Sequence, residues 1–196
     1  MNEILINTER LIIRRGEVDD YIKIHEYDFN HLQYIDGEYD FIKNDPEMIR
    51  AWFSKYSSME EYYDSLLKNN SYDFLVFLKN NLAIGQINFD RYDEFLNSLE
   101  LSCFLHPSYW NRGYMTEALI SSMDYIYKEG YDNIVYTYIV DNIASKKLCD
   151  KVGFKYFYTI NQSIISDKLN MTKVFIMSKA DYNELYGKNF VKKIKR

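Results

Sequence analysis

Between Leu99 and Phe154 the chain fits a strand, a glycine-bearing turn, a helix, a second strand and a second helix into about 55 residues. At its centre stands Pro107-Ser108-Tyr109-Trp110-Asn111-Arg112-Gly113-Tyr114-Met115-Thr116-Glu117-Ala118. A strand that feeds a helix through such a turn leaves the first helical N–H groups without intrahelical acceptors, and the positive end of the helix dipole faces the turn. That end suits a phosphate. On the strand before it, Leu99, Leu101, Cys103 and Leu105 face one way and Glu100, Ser102, Phe104 and His106 the other. The helix after Gly113 places Met115, Ala118, Leu119, Ser122, Met123 and Ile126 at the 3.6-residue period and ends near Gly130. A β-branched, tyrosine-rich strand is expected over 133–140, followed by a helix over 144–151 that Asn142 caps and Gly153 stops.

Around this stretch the pattern alternates between helix and strand. Residues 9–15 read as an opening strand, and 19–29 as a helix; 31–43 shows no clear period. Asp45-Pro46-Glu47 starts a helix carrying Met48, Ile49, Trp52 and Phe53, and the Ser57/Ser58 to Glu60/Glu61 spacing is a capping box for another helix that runs to Asn69-Asn70. Strands at 74–78 and 82–89 flank Asn80-Asn81, a tight hairpin turn, and Gly85 marks a bulge or a close backbone approach. A polar link is expected over 90–97. Strands at 154–160 and 171–178 should pair, and a short helix over 180–186 leads to a basic tail.

The 196 residues suit one domain, taken as 1–187 with the tail at 188–196. The net charge is −5, and removing the five basic residues of the tail leaves the body near −10, so nucleic acid is a disfavoured partner and a cationic small partner is compatible. Cys103 and Cys149 lack C-x-x-C spacing and His25, His31 and His106 form no i, i+4 pair, so no metal is expected. No apolar run approaches the roughly 18 residues of a membrane span, and a cytoplasmic location is expected.

Taken together, Glu100 to Leu119 and Asn142-Ile-Ala-Ser-Lys-Lys-Leu-Cys-Asp-Lys-Val-Gly-Phe154 resemble the GNAT superfamily of N-acetyltransferases, and within it the ribosomal-protein-N-acetyltransferase-like branch. That branch typically writes the first segment as strand, Pro, two variable residues and Trp-Gly-Lys-Gly-Tyr-Ala-Thr-Glu-Ala, and the second as Asn-x-x-Ser with Gly-Phe about eight residues later. The opening Thr8-Glu-Arg-Leu-Ile-Ile-Arg14 and the Ile84-Gly85 hairpin also look like this branch. The resemblance implies an α+β fold, a strongly twisted, mostly antiparallel central sheet flanked by helices, with acetyl-coenzyme A as cosubstrate. It implies that Trp110, Asn111, Arg112, Gly113, Tyr114, Met115 and Thr116 hold the pyrophosphate end, largely through backbone N–H groups. Cys103, Phe104 and Leu105 would offer strand backbone to the pantetheine arm, and Asn142 and Ser145 would contact that arm. This chain departs from the branch at Asn111, where Gly is usual, and at Met115, where a small residue is usual.

An amine of pKa near 10 must lose a proton before it attacks a thioester. Glu100 is the candidate base, directly or through water, against the alternative of a structural ion pair. Ser145 is the candidate hydroxyl beside the departing thiolate, against the alternative of a capping role. Many other superfamily branches carry a tyrosine where Cys149 stands here. A strand N–H near Phe104 would serve the oxyanion. Tyr34, Asp36, Glu38, Asp40, Phe41 and Trp52 are candidates for an aromatic and acidic cup around a cationic acceptor. The expected reaction is direct transfer of acetyl to a primary amine, of a small molecule or a protein N-terminus, in a ternary complex. A catalytically inactive coenzyme A-binding module and a small-molecule binder without coenzyme A affinity are the other readings, and a homodimer stays open.

Overall fold

Alternating apolar and polar residues draw the described strands of this chain into a single sheet whose two faces differ in chemistry. The computed structural model describes residues 4–17, 72–162 and 170–187, with 19, 20, 24 and 61. Its strands are β1 (Leu5–Asn7), β2 (Leu11–Arg14), β3 (Tyr72–Leu78), β4 (Ala83–Asp93), β5 (Ser98–Leu105), β6 (Asn133–Ile139), β7 (Lys155–Gln162) and β8 (Asn170–Ser178). They form one sheet in the order β1-β2-β3-β4-β5-β6-β8-β7. Every neighbouring pair is antiparallel except β5 and β6, which run parallel. Among the described residues the α-helices that follow β5 are α1 (Tyr114–Lys128), α2 (Ile143–Val152) and α3 (Lys179–Tyr186). This is the mixed, mostly antiparallel architecture expected.

One face of the sheet carries the main core. Leu11, Phe74, Ile87, Phe89, Leu99 and Leu101 pack there against Met115, Ala118, Leu119, Met123 and Ile126 of α1. Each of the Leu, Ile, Phe and Met side chains, fully buried, contributes about 1.5–3 kcal/mol. On the other face Leu75 and Phe77 form a smaller cluster with Ile24, and Phe104 joins its edge. The parity expected for β5 is observed: Leu99, Leu101, Cys103 and Leu105 lie with the main core and Phe104 with the second cluster.

Several boundaries shift. The opening strand is a hairpin of β1 and β2, closed by the Thr8 N–H donating to the Leu11 carbonyl at 3.0 Å. β4 continues through Asp90, Arg91 and Tyr92, where a polar link was expected, because Asp90 still pairs with Glu100 and Arg91 with Leu99 before the register slips at Asp93. Backbone pairing outweighs polar side chains when one face is open. Asn81 turns the β3–β4 hairpin at φ 62°. Gly85 answers to both expectations: the β3–β4 register shifts beside it, and a Cβ there would lie 2.5 Å from the Phe104 carbonyl oxygen. Residues 19, 20 and 24 are helical, inside the helix expected at 19–29. Residue 61 is helical, inside the second helix expected between 45 and 70; the rest of those helices, the 31–43 segment, the candidate aromatic and acidic cup with Trp52, and the tail lie outside the described residues.

Candidate active site

Parallel β5 and β6 pair only from Ser98↔Asn133 to Leu101↔Tyr136. β5 then stays with β4 as far as Leu105, while β6 stays with β8 as far as Ile139. A split therefore opens in the middle of the sheet. The His106 N–H donates to the Ile84 carbonyl at 2.8 Å. By the alternation of an antiparallel ladder, Phe104 and Ser102 spend their backbone groups on β4, whereas Cys103 and Leu105 turn theirs toward the split. The strand N–H groups that can polarise an oxygen in the split thus belong to Cys103 and Leu105, the neighbours of Phe104 rather than Phe104 itself. Backbone amides arrayed along an unpaired strand edge suit an amide-containing chain.

Both helices that follow these parallel strands begin at the open end of the split. Gly113 caps α1 in the left-handed region at φ 77°, with no side-chain cap, so the N–H groups of its first turn remain available to a ligand. Asn111 is also left-handed, at φ 58°, a conformation that Asn tolerates better than most residues. Its departure from Gly therefore leaves the turn geometry intact. The Met115 side chain is 7 % exposed and belongs to the main core, so it points away from the turn. Asn111 and Arg112 are exposed, and Trp110 braces the turn by donating its indole N–H to the Leu105 carbonyl at 2.5 Å.

A clamp from the distant N-terminal hairpin fixes this turn. Glu117, in the first turn of α1, accepts from Thr8 Oγ1 at 2.6 Å, from the Arg10 backbone N–H at 3.1 Å and from Arg10 Nε at 2.6 Å. Arg10 also donates to the Arg112 carbonyl at 2.9 Å and lies over the Tyr114 ring. Thr8, Arg10 and Glu117 stood inside the sequence patterns noted above without a role. Their partnership joins residues too far apart in the chain for spacing to reveal it.

Side chains with chemical capacity stand at the base of the split. On the face away from α1, Glu100 accepts a hydrogen bond from Thr137 Oγ1 at 2.5 Å, and the Tyr92 and Tyr158 hydroxyls meet close by. Burial, the partner Tyr158 and the nearby Glu100 charge keep the Tyr92 phenol protonated far above its usual range. On the core face, Asn142 Oδ1 accepts from the Ser145 N–H at 2.9 Å and caps α2. That cap uses the serine backbone and leaves its hydroxyl for other work. Tyr136, buried at the end of the β5–β6 pairing, brings its hydroxyl within 4.0 Å of Cys103 Sγ. No sequence signal singled it out beyond a tyrosine in a buried strand. Cys149 is fully buried in the core, and its thiol is pushed up to about 12 by burial.

The arrangement fits a thioester of a phosphate-bearing carrier: unpaired strand amides for the arm, a helix start for the phosphates, and a carboxylate and a hydroxyl on opposite faces of the same split. A separate cavity of about 310 Å³ lies at the other end of β5, lined by Tyr72, Asp93, Asn97, Glu129 and Tyr131 among others. It lies at the Ser98 end of β5, whereas the split opens at the Leu105 end. Among the described residues no helix is long and apolar enough to cross a membrane.

The sequence model of the Acetyltransferase (GNAT) domain matches residues 10–155. An uncharacterized N-acetyltransferase, YnaD, of Bacillus subtilis is 30% identical over 154 residues, covering 76% of this chain and 82% of that protein. Among solved structures, the ribosomal-protein-S5-alanine acetyltransferase from Vibrio fischeri superposes with a TM-score of 0.71 at 19% identity, covering 91% of this chain and 98% of that one. RimL, a ribosomal L7/L12 alpha-N-protein acetyltransferase solved in complex with coenzyme A, superposes with a TM-score of 0.70 at 16% identity, covering 91% and 99%.

Proposed function

This chain belongs to the GNAT acetyltransferase family, whose acyl donor is acetyl-coenzyme A, and from that premise we propose that it acetylates a primary amine by direct transfer at the β5–β6 split. The observation that carries the reading is the split itself, with Glu100 on one face, Ser145 on the other and the uncapped start of α1 at its open end.

In this reading the backbone N–H groups of residues 112–116 bind the pyrophosphate, with the exposed Arg112 adding charge, and Trp110 and Asn111 hold the turn that presents them. The edge of β5 at Cys103 and Leu105 binds the pantetheine amides, and Asn142 supplies a side-chain contact from α2. Acetyl-coenzyme A brings an activated acyl group whose sulfur leaves with the electron pair. Glu100, held by Thr137, removes a proton from the incoming ammonium directly or through one water. The Cys103 N–H stabilises charge on the acyl oxygen, leaving the Cys103 carbonyl and the Leu105 N–H to the pantetheine amides, and Ser145 donates a hydrogen bond to the sulfur as negative charge gathers there.

The acceptor approaches on the Glu100 face, where Asp90 and Glu100 supply carboxylates from adjacent strands, Asp73 on the same face being buried against Gln86. That face suits an amine that arrives as a cation. The two neighbours described above act on ribosomal proteins; a protein N-terminus and a small polyamine are both acceptors of the required chemistry.

Initial-velocity measurement of thiol release, with acetyl-coenzyme A varied against polyamines, amino acids, aminoglycosides and N-terminal peptides, tests the proposal. Intersecting double-reciprocal lines with at least one acceptor are expected. Parallel lines would replace direct transfer with a covalent enzyme intermediate. Thermal stabilisation by coenzyme A with no turnover across the panel would favour a binding module instead.

A further inference from the structure

Resting on Glu100 as the base, we propose that Tyr92 and Tyr158 determine which amines reach it: joined hydroxyl to hydroxyl, they wall the Glu100 face and restrict the acceptor to an amine carried on an unbranched CH2 group. The two hydroxyls lie 2.5 Å apart. Tyr92 belongs to β4 and Tyr158 to β7, and the sheet order β4-β5-β6-β8-β7 sets three strands between them. Side chains so placed can meet only by passing over β5, β6 and β8.

Register puts the base beneath that crossing. Tyr158 pairs with Val174, Val174 with Thr137, and Thr137 Oγ1 donates to Glu100 Oε1 at 2.5 Å. At the other end, Asp90 pairs with Glu100 and Tyr92 follows two residues later, its contact with Tyr158 fixing it to the same face. The Thr137 bond draws the carboxylate toward β6, under the line from Tyr92 to Tyr158. Val174 and Thr137, the side chains between the base and Tyr158, are short, so the tyrosine reaches across them. Burial, the Tyr158 partner and then the Glu100 charge hold the Tyr92 phenol far above its usual range, which agrees with this placement.

Each strand breaks its register where it delivers its tyrosine. The β4–β5 ladder slips between Arg91 and Asp93, leaving Tyr92 as the extra residue, and the β7–β8 ladder slips between Tyr156 and Tyr158, leaving Phe157. A bulge of this kind bends the strand and re-aims a side chain. The Phe157 ring meets the Tyr158 ring edge-on, with centroids 5.0 Å apart. Tyr158 is half-buried, whereas every other residue from 155 to 161 is exposed. This edge strand withdraws one tyrosine from solvent and lays it over the sheet.

A nitrogen that reaches Glu100 carries its first carbon only about 1.5 Å further on. That carbon shares the space beside the carboxylate with the two tyrosines. A CH2 group places hydrogens there, and a branch places a methyl, which a packed pocket disfavours by about 10-fold or more.

The test measures thiol release with two matched pairs of acceptors: butylamine against sec-butylamine, and a peptide beginning with Gly against the same peptide beginning with Ala. Each pair differs by a branch at the reacting carbon. The proteins are wild type, Tyr158→Phe, Tyr158→Ala and Tyr92→Ala. Wild type should favour the unbranched member by about 10-fold or more in kcat/KM, and either alanine variant should bring the ratio to within about 2-fold of unity. Tyr158→Phe, which keeps the ring but frees it from Tyr92, should fall between. The ratio is read on one sample, so a loss of folded protein or a shared loss of kcat leaves it unmoved. Titration calorimetry should give the same coenzyme A affinity in all four proteins, and a fall in the variants would place the tyrosines on the cofactor side and overturn the proposal. Equal use of both members by wild type, or turnover confined to α-branched acceptors, would also overturn it. An unchanged ratio in Tyr158→Phe overturns it even if the alanine variants do not fold. Wild type that releases no thiol with these four amines or with the wider panel would instead overturn the acetyl-transfer reading on which the proposal rests.

Discussion

Glu100, the proposed base, lies on the sheet face opposite α1, with one carboxylate oxygen held by Thr137 at 2.5 Å and no cation paired to it among the described residues. Glu100→Gln keeps the shape and the Thr137 contact but removes the proton acceptor. It should lower kcat by about 10²-fold or more, with the affinity for coenzyme A unchanged, as followed by thiol release and calorimetry. If the carboxylate were only structural, kcat would hold and Tm would fall. The cysteines make the opposite prediction. Burial pushes the thiols of Cys103 and Cys149 up to about 12, so both stay in the unreactive thiol form near pH 8. A thiol reagent should label the folded protein slowly at pH 8 and both cysteines rapidly after denaturation, with fast labelling of the native state contradicting this. Glu100 was legible in the sequence because strand parity separates it from Leu99 and Leu101. The placement of the Tyr136 hydroxyl was not, because it depends on what the ring carries it to, here the Cys103 thiol on the neighbouring strand.

The turn before α1 shows the same contrast at the scale of an element. Its glycine, its asparagine and the helix that follows could be read directly from the order of residues, and the left-handed Gly113 and Asn111 carry that reading out. The clamp that secures the turn is spread between β1–β2 and α1, so no local pattern contains it. Arg10→Ala would release the Glu117 carboxylate and the Arg112 carbonyl together. The pair is partly exposed, so the cost in stability should stay near 1 kcal/mol, while coenzyme A affinity should fall several-fold because the phosphate-facing N–H groups lose their fixed direction. Calorimetric titration of the variant reads both effects, and unchanged affinity would detach the clamp from the site. In the hairpin, Gly85→Ala would place a methyl 2.5 Å from the Phe104 carbonyl oxygen, which is backbone and cannot swing aside. A loss of about 1–3 kcal/mol, or roughly 2–10 °C in Tm, is expected by calorimetry.

Across the molecule, element type and sequence were readable wherever alternation or a helical period ran unbroken, which covers β3 to β8 and the helices between and after them. The sheet's defining feature was not readable. That β5 and β6 pair for four residues and then part is a matter of which neighbour each strand follows, β4 in one case and β8 in the other, and pairing choice leaves no mark in single-strand composition. The split nevertheless gathers into one place the residues that the two sequence patterns had pointed to separately, the 110–116 turn and the Asn142 to Ser145 cap. The most direct test of that convergence is a crystal structure of the protein with coenzyme A bound. The pyrophosphate is expected on the N–H groups of residues 112–116, the pantetheine amides along Cys103 and Leu105, and the sulfur within hydrogen-bond distance of Ser145 Oγ. Coenzyme A seated elsewhere, such as in the cavity between Tyr72, Asp93 and Glu129, with the split left to solvent, would contradict it.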